Sequence, residues 1–221
     1  MRAFVIAWAA LFLAGCGGEA TYEGKTVSEW RAALRKPGPP ARRNAAAALG
    51  AIGPRAGAAA PDLAAALDDP DDKVRVKAAL ALWSIGPDAQ AAAPGLTHAL
   101  QDPNPEVRLG AVGALAAVAP NDADAVRAVA NTLRDGEAHV REAAAKALQR
   151  FGSKATEVVP ALASALQDDD RSVRIQAAYT LAELGPGAAE AAPALRAVLE
   201  EKDGGVRGAA AYALERVQPK R

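Results

Sequence analysis

The chain has 221 residues, with 26 Lys and Arg against 26 Asp and Glu, one Cys and two His. A net charge of zero leaves no cationic excess to neutralise a phosphate backbone, and one thiol with two imidazoles excludes an internal disulfide and a thiolate zinc cluster and argues against a His-rich metal centre. Hydrophobic residues make up 51% of the chain but aromatics only 4%, and the remainder is dominated by Ala, a composition that favours closely packed helices over sheet.

The N-terminus opens with a positive Met1-Arg2, an uncharged apolar run from Ala3 to Leu13, and then Leu13-Ala14-Gly15-Cys16. The run is shorter than a bilayer-spanning helix needs. This order of charge, apolar run, small residues and Cys resembles a bacterial lipoprotein signal peptide. The resemblance implies removal of residues 1–15, lipidation of Cys16, and a chain held on a membrane surface in the bacterial envelope, periplasmic or extracellular. Several acyl chains at about 0.8 kcal/mol per buried methylene make such anchoring effectively permanent. Residues 16–25, with Gly17 and Gly18, are expected to form a short tether.

From residue 26 to 217 the sequence repeats. Val-Arg pairs fall at 74, 107, 140, 173 and 206, each 33 residues beyond the last, with Ala41-Arg42 at the same interval before them. Leu34, Leu67, Leu100, Leu133, Leu166 and Leu199 form a second column, and Ile52, Ile85, Val118, Phe151, Leu184 and Val217 a third. Six copies account for nearly all of the span, with residues 218–221 as a tail.

Each copy reads as a helix A, an acidic turn and a helix B. In the second copy Pro61 to Leu67 ends helix A, Asp68 to Asp72 turns, and Lys73 to Ile85 is helix B. Gly-Pro at 53, 86 and 185 stops helix B, with Ala119-Pro120 and Gly152-Ser153 as variants. Pro61, Pro94, Pro160 and Pro193 recur within the A segments, where a missing N–H bends a helix or sets its first turn. At 100 degrees per residue, Val74, Ala78, Ala81, Leu82 and Ile85 share one stripe. A single hairpin cannot bury that stripe alone, so successive hairpins must stack into one core.

The segments KVRVKAALALWSIG, EVRLGAVGALAAVA, HVREAAAKALQRFG and SVRIQAAYTLAELG, each preceded by an AAPxLxxAL-like helix A, resemble short HEAT repeats. The resemblance implies an all-α fold, a right-handed α-α superhelix of six 33-residue helix-turn-helix units. It also implies a scaffold that binds other proteins on the face lined by the B helices. Gly24 to Trp30 fits an N-terminal capping helix, with Trp30 in the column of Leu63 and Leu96.

Two sets of side chains could carry more than packing. Asp69, Asp102, Asp135 and Asp168 precede Arg75, Arg108, Arg141 and Arg174 by six residues, with Glu201 before Arg207. An Asp at the turn can accept the N–H groups opening helix B, while the Arg reaches an acid of its own or the adjoining copy, a stabilising ladder rather than a site. Opposite the core, copy two offers Val76, Leu80 and Trp83, copy five Ile175, Tyr179 and Ala182, and copy six Tyr212, while copy four is polar at Glu142, Lys146 and Gln149. An apolar, aromatic face suits a peptide or helix of another protein; alternatively these side chains fill space between adjacent B helices.

Catalysis finds little support. His98 and His139 are isolated, no His-Glu pair suggests the di-iron chemistry of HEAT-type hydroxylases, and neither a Gly-rich phosphate loop nor a Gly-x-Ser-x-Gly elbow occurs. The expectation is therefore no enzyme, no cofactor, no metal and no nucleic acid, with protein partners and a lipid anchor. Short HEAT-like repeats also occur in lyases that attach bilins to phycobiliproteins, which is one alternative. A purely structural envelope component is another.

Overall fold

The computed structural model describes residues 19–218, so the expected signal segment 1–15, Cys16 and the final residues 219–221 lie outside it. The described residues hold twelve α-helices: α1 (Val27–Ala33), α2 (Pro39–Ile52), α3 (Ala60–Ala65), α4 (Asp72–Ile85), α5 (Ala93–Ala99), α6 (Pro105–Val118), α7 (Ala123–Asn131), α8 (Ala138–Arg150), α9 (Val159–Ala165), α10 (Arg171–Leu184), α11 (Ala192–Val198) and α12 (Gly204–Val217). Short A helices alternate with B helices of 13 or 14 residues. Each B helix packs on the next, α2 on α4 through to α10 on α12, and on its own A arm. The result is an α-solenoid with one continuous core.

The core follows the 33-residue columns. Val74, Ala78, Leu82 and Ile85 of α4 are fully buried, as are Val173, Ala177 and Leu181 of α10. A Leu or Val taken wholly out of water in this way stabilises the stack by about 1.5 to 3 kcal/mol. Small residues set how closely B helices approach. A Cβ on Gly50 would lie 3.0 Å from the Ala81 Cα, and one on Gly110 would lie 3.0 Å from the Ala79 Cβ.

The A arm is more divided than one helix. Gly53, Gly86, Gly152 and Gly185 end their B helices with φ between 55° and 71°, a left-handed conformation that glycine adopts without steric cost. Each is followed by a 3-10 stretch, at Gly53–Ala59, Gly86–Ala92, Gly152–Val158 and Gly185–Ala191, and only then by the α-helical part. The prolines explain the change of pitch. Pro61, Pro94, Pro160 and Pro193 have no N–H to give the carbonyls of Gly57, Gln90, Thr156 and Ala189 four residues back. Those carbonyls accept instead from the residue before each proline, three residues on. The fourth copy has Arg127 in the proline column. There the 3-10 segment is replaced by a turn and the nine-residue α7, capped by the Asp122 carboxylate accepting from Asp124 and Ala125.

The N-terminal end is sealed by α1. The Thr26 hydroxyl accepts from the Glu29 N–H while Glu29 accepts from the Thr26 N–H, a reciprocal cap. Trp30 is buried in the column of Leu63 and Leu96. Residues 21–25, read from sequence as tether, belong to the folded unit instead. Thr21–Tyr22 (β1) and Lys25–Thr26 (β2) pair antiparallel around Glu23-Gly24, both at positive φ. The Trp30 indole N–H donates to the Tyr22 carbonyl at 3.1 Å, and the Lys25 ammonium sits 4.4 Å above its ring. A single aromatic thus ties the hairpin to the cap.

Candidate functional site

The Arg and Asp columns form a ladder that joins each copy to the next. Arg42, Arg75, Arg108 and Arg141 each present Nε and Nη2 to both carboxylate oxygens of Asp69, Asp102, Asp135 and Asp168, at 2.6 to 3.0 Å and always 27 residues ahead. The same guanidinium turns Nη1 back to carbonyls of its own A–B turn, as Arg75 does to Asp69 at 2.8 Å. A planar fork with a third donor fits both tasks, which a Lys ammonium cannot do bidentately. Burial pushes the Asp69, Asp102, Asp135 and Asp168 carboxyls up. The hydrogen bonds from the arginines and from backbone N–H groups outweigh it and hold them below the ordinary range.

One detail of the expected ladder changes. The Asp accepts the N–H of the residue two ahead, at Asp71, Asn104, Glu137 and Asp170. In four copies it is that following position, Asp71, Asn104, Asp170 or Asp203, whose side chain caps helix B. Each of those four turns therefore has two polar side chains, one facing the Arg of the preceding copy and one closing the helix. The last rung is looser: Glu201 stands in the Asp column and its Oε2 lies 3.3 Å from the Arg174 Nε.

The face of the B helices away from the core is where apolar side chains meet solvent. Leu80, Trp83, Tyr179 and Tyr212 are 38 to 44% exposed, while Val76 and Ile175 are half-buried beside them. Trp83 does not stand free. A Cβ on Gly113 of α6 would fall 2.8 Å from its Cε3 and Cζ3, so the six-membered ring rests on the backbone of the following B helix. The indole packs between adjacent B helices and still shows a large face to water. Leu109, half-buried next along the Val76 column, extends the patch.

The second patch is built of tyrosines. Tyr179 of α10 and Tyr212 of α12 meet edge to face, with ring centroids 6.0 Å apart at 63°. The Arg216 guanidinium lies 5.5 Å from the Tyr212 ring while its Nε donates to the Ala182 carbonyl at 3.1 Å. Ala182, expected on this exposed face, is fully buried, as is Ala116 in the same column. That column leans toward the next B helix, so a methyl group there disappears into the helix contact. Longer side chains in that column still reach solvent: Trp83 opposite a glycine, Gln149 in part, and Glu215 on the last helix. Thr180 is also buried, its hydroxyl 2.8 Å from the Ala145 carbonyl of α8 and 2.9 Å from that of Gln176.

The two patches are separated by copy four, where Lys146 is exposed and Glu142 and Gln149 are half-buried. Sequence reading missed Gly113 as the platform for Trp83. The signal was present, since Gly113 occupies the column of Leu80 and Tyr179. On the A side, a recess of about 510 Å3 between α7 and α9 is lined by Arg127, Arg134, Glu157 and Ser164, and Arg127 there pairs with Asp124 and Glu157. Among the described residues no group of three His, Cys, Asp or Glu could hold a metal ion, and no helix is long and apolar enough to cross a membrane.

Known structures share this architecture. An engineered protein aligns with a TM-score of 0.67 at 24% identity, over 86% of this chain and 96% of its own. A designed armadillo repeat protein, solved in complex with the peptide (KR)4, aligns with a TM-score of 0.68 at 20% identity, over 87% and 100%. The complex of CpcE and CpcF of phycocyanin lyase from Nostoc sp. PCC7120 aligns with a TM-score of 0.50 at 25% identity, over 86% and 82%. No curated protein matches the chain in sequence. The family model for HEAT repeats matches residues 27–100, 93–156 and 126–215, which together take in every A and B helix of the stack. The chain belongs to the HEAT-repeat family.

Proposed function

We propose that this chain is a non-catalytic scaffold that holds a segment of another protein along its helix-B face while a lipid on Cys16 keeps it at an envelope membrane. The carrying observation is the set of half-exposed Leu80, Trp83, Tyr179 and Tyr212 on one face, with the three aromatics held in place by packing. Anchored aromatics offer large area with few rotors to freeze, which is what recognition of a chain segment needs. The fold is one in which a related designed armadillo protein holds a peptide. Lipid anchoring rests on the Leu13-Ala14-Gly15-Cys16 sequence, and it would restrict encounters to partners at the same surface.

Affinity capture of the mature protein from its own membranes tests both halves. Trp83→Ala with Tyr179→Ala should retain helicity and lose a specific co-purifying protein, and the N-terminal peptide should begin at an acylated Cys16. Retention of every partner by the double variant would remove the helix-B face as the site. A second reading, an accessory protein for a cofactor-bearing partner, draws on the likeness to the CpcE and CpcF complex. It requires that added bilin be retained by the purified chain, and a colourless eluate would dismiss it.

A further inference from the structure

The chain as a whole is neutral, but its charges are not evenly spent. The ladder consumes Asp69, Asp102, Asp135 and Asp168, Arg171 takes Asp203, and Arg31 and Arg35 take Asp62. The ladder pairs lie at the A–B turns, and Arg171, one turn before Ile175 on α10, is neutralised by Asp203. On the helix-B face the balance differs. Lys73 and Lys77 flank Val76 and Leu80 on α4, and Lys146 and Arg150 follow one turn apart on α8. All four are exposed, and none makes an ion pair within the described residues. The acids on the same stretch are fewer. Glu106 faces His139 at 3.8 Å, Glu142 is half-buried, and Asp72 accepts from the Asn104 side-chain amide. From copy two to copy four, four cations without an ion partner among the described residues stand against three acids beside the apolar side chains.

Lys146 also stands in the same column as Leu80, Tyr179 and Tyr212. A segment running along that column from the first patch to the second must pass over its ammonium. Resting on the docking reading above, we infer that the segment this face takes is acidic. It carries an apolar anchor on Leu80 and Trp83, carboxylates over Lys77, Lys146 and Arg150, and a second apolar anchor on Ile175 and Tyr179. Helix spacings of about 8 to 10 Å place the two anchors roughly 24 to 30 Å apart. That distance is about seven to nine residues of extended chain. In copies five and six, Glu183 and Glu215 are exposed on α10 and α12, so the carboxylates belong between the anchors and not past the second one.

The test uses the detergent-solubilised full-length lipoprotein and three labelled peptides of about ten residues. All three carry Leu and Phe near both ends, with central positions filled by Asp and Glu, by Lys and Arg, or by Ser and Gln. The acidic peptide should bind about tenfold more tightly than the polar one at low salt, with the advantage shrinking as salt rises. Lys77→Glu with Lys146→Glu, both at exposed positions, should keep the circular dichroism spectrum and reverse the order of acidic and basic peptides. Equal binding of all three, weakened alike by Trp83→Ala, would refute the acidic partner and leave the docking face standing. Binding of none would remove the face itself. Self-association abolished by Trp83→Ala would assign the face to a second copy of this chain and overturn the inference.

Discussion

Trp83 and Gly113 are matched across two helices: the indole covers the one position in its column where a side chain is missing, and a methyl group there would meet ring carbons at 2.8 Å. Gly113→Ala should therefore lift the ring from α6. Overpacking costs about 1 to 3 kcal/mol, and the better helix propensity of Ala returns roughly 1 kcal/mol. The expected outcome is a net loss of about 1 kcal/mol, with a red shift in tryptophan emission. Trp83→Ala combined with Gly113→Ala should remove most of that loss. A more stable Gly113→Ala variant with unshifted emission would show that the contact is loose.

The ladder predicts a contrast between two arginines. Asp102→Ala strands the Arg75 fork, whose side chain is only 14% exposed, and should cost about 2 to 3 kcal/mol in urea unfolding. Among the described residues Arg207 reaches only the Glu201 and Lys202 carbonyls of its own turn. Its replacement by Ala should cost less than about 1 kcal/mol. Similar losses at the two sites would mean that contacts within a turn, and not the rungs between copies, hold the arginines.

Acid should loosen the stack in a defined direction. Asp69, Asp102, Asp135 and Asp168 are held below the ordinary carboxyl value of 3.8, and Asp203 is lowered to about 2 by its hydrogen bonds from Arg171 and backbone amides. The folded form then binds protons less readily than the unfolded chain, so this stabilisation is complete above about pH 5. It fades as the pH falls through the folded values. The urea midpoint should stay flat from pH 7 to about pH 5 and drop steeply below about pH 4. Asp102→Asn should flatten part of that drop. A midpoint that rises on acidification would contradict the assigned charge states.

Arg127 tests the account of the A arm. In α7 the backbone continues as α-helix through this position, so Arg127→Pro removes an interior hydrogen bond and should cost about 3 kcal/mol. The same residue type is accommodated at 94, 160 and 193 because a 3-10 turn precedes it. Tolerance of proline at 127 would show that copy four can adopt the pitch of its neighbours.

The sequence made the repeat, the core columns and the exposed patch at Leu80, Trp83, Tyr179 and Tyr212 readable, because a 33-residue step aligns equivalent environments and 100 degrees per residue assigns faces. It was less informative where the deciding group was absent. The 3-10 stretches depend on a missing proline N–H four residues ahead, and the seat of Trp83 depends on a missing Cβ in another copy. Ala182 was placed outside because angle alone does not reveal how near the next helix comes. The hairpin at 21–26 depends on Trp30 reaching back to the Tyr22 carbonyl, a contact with no periodic signature.

The constant interval of 27 residues between each Arg and its acid has a bearing on how such a chain changes length. Cutting out one whole unit between equivalent points, or duplicating one, restores the same offset at the junction, so the splice is clasped by the fork already in place. The two ends of the described stack are exempt, since α1 and the hairpin close one and Arg207, bonded to carbonyls of its own turn and with no acid ahead among the described residues, marks the other. Growth by internal copying thus extends the helix-B face in fixed increments without demanding a new fastening for each addition.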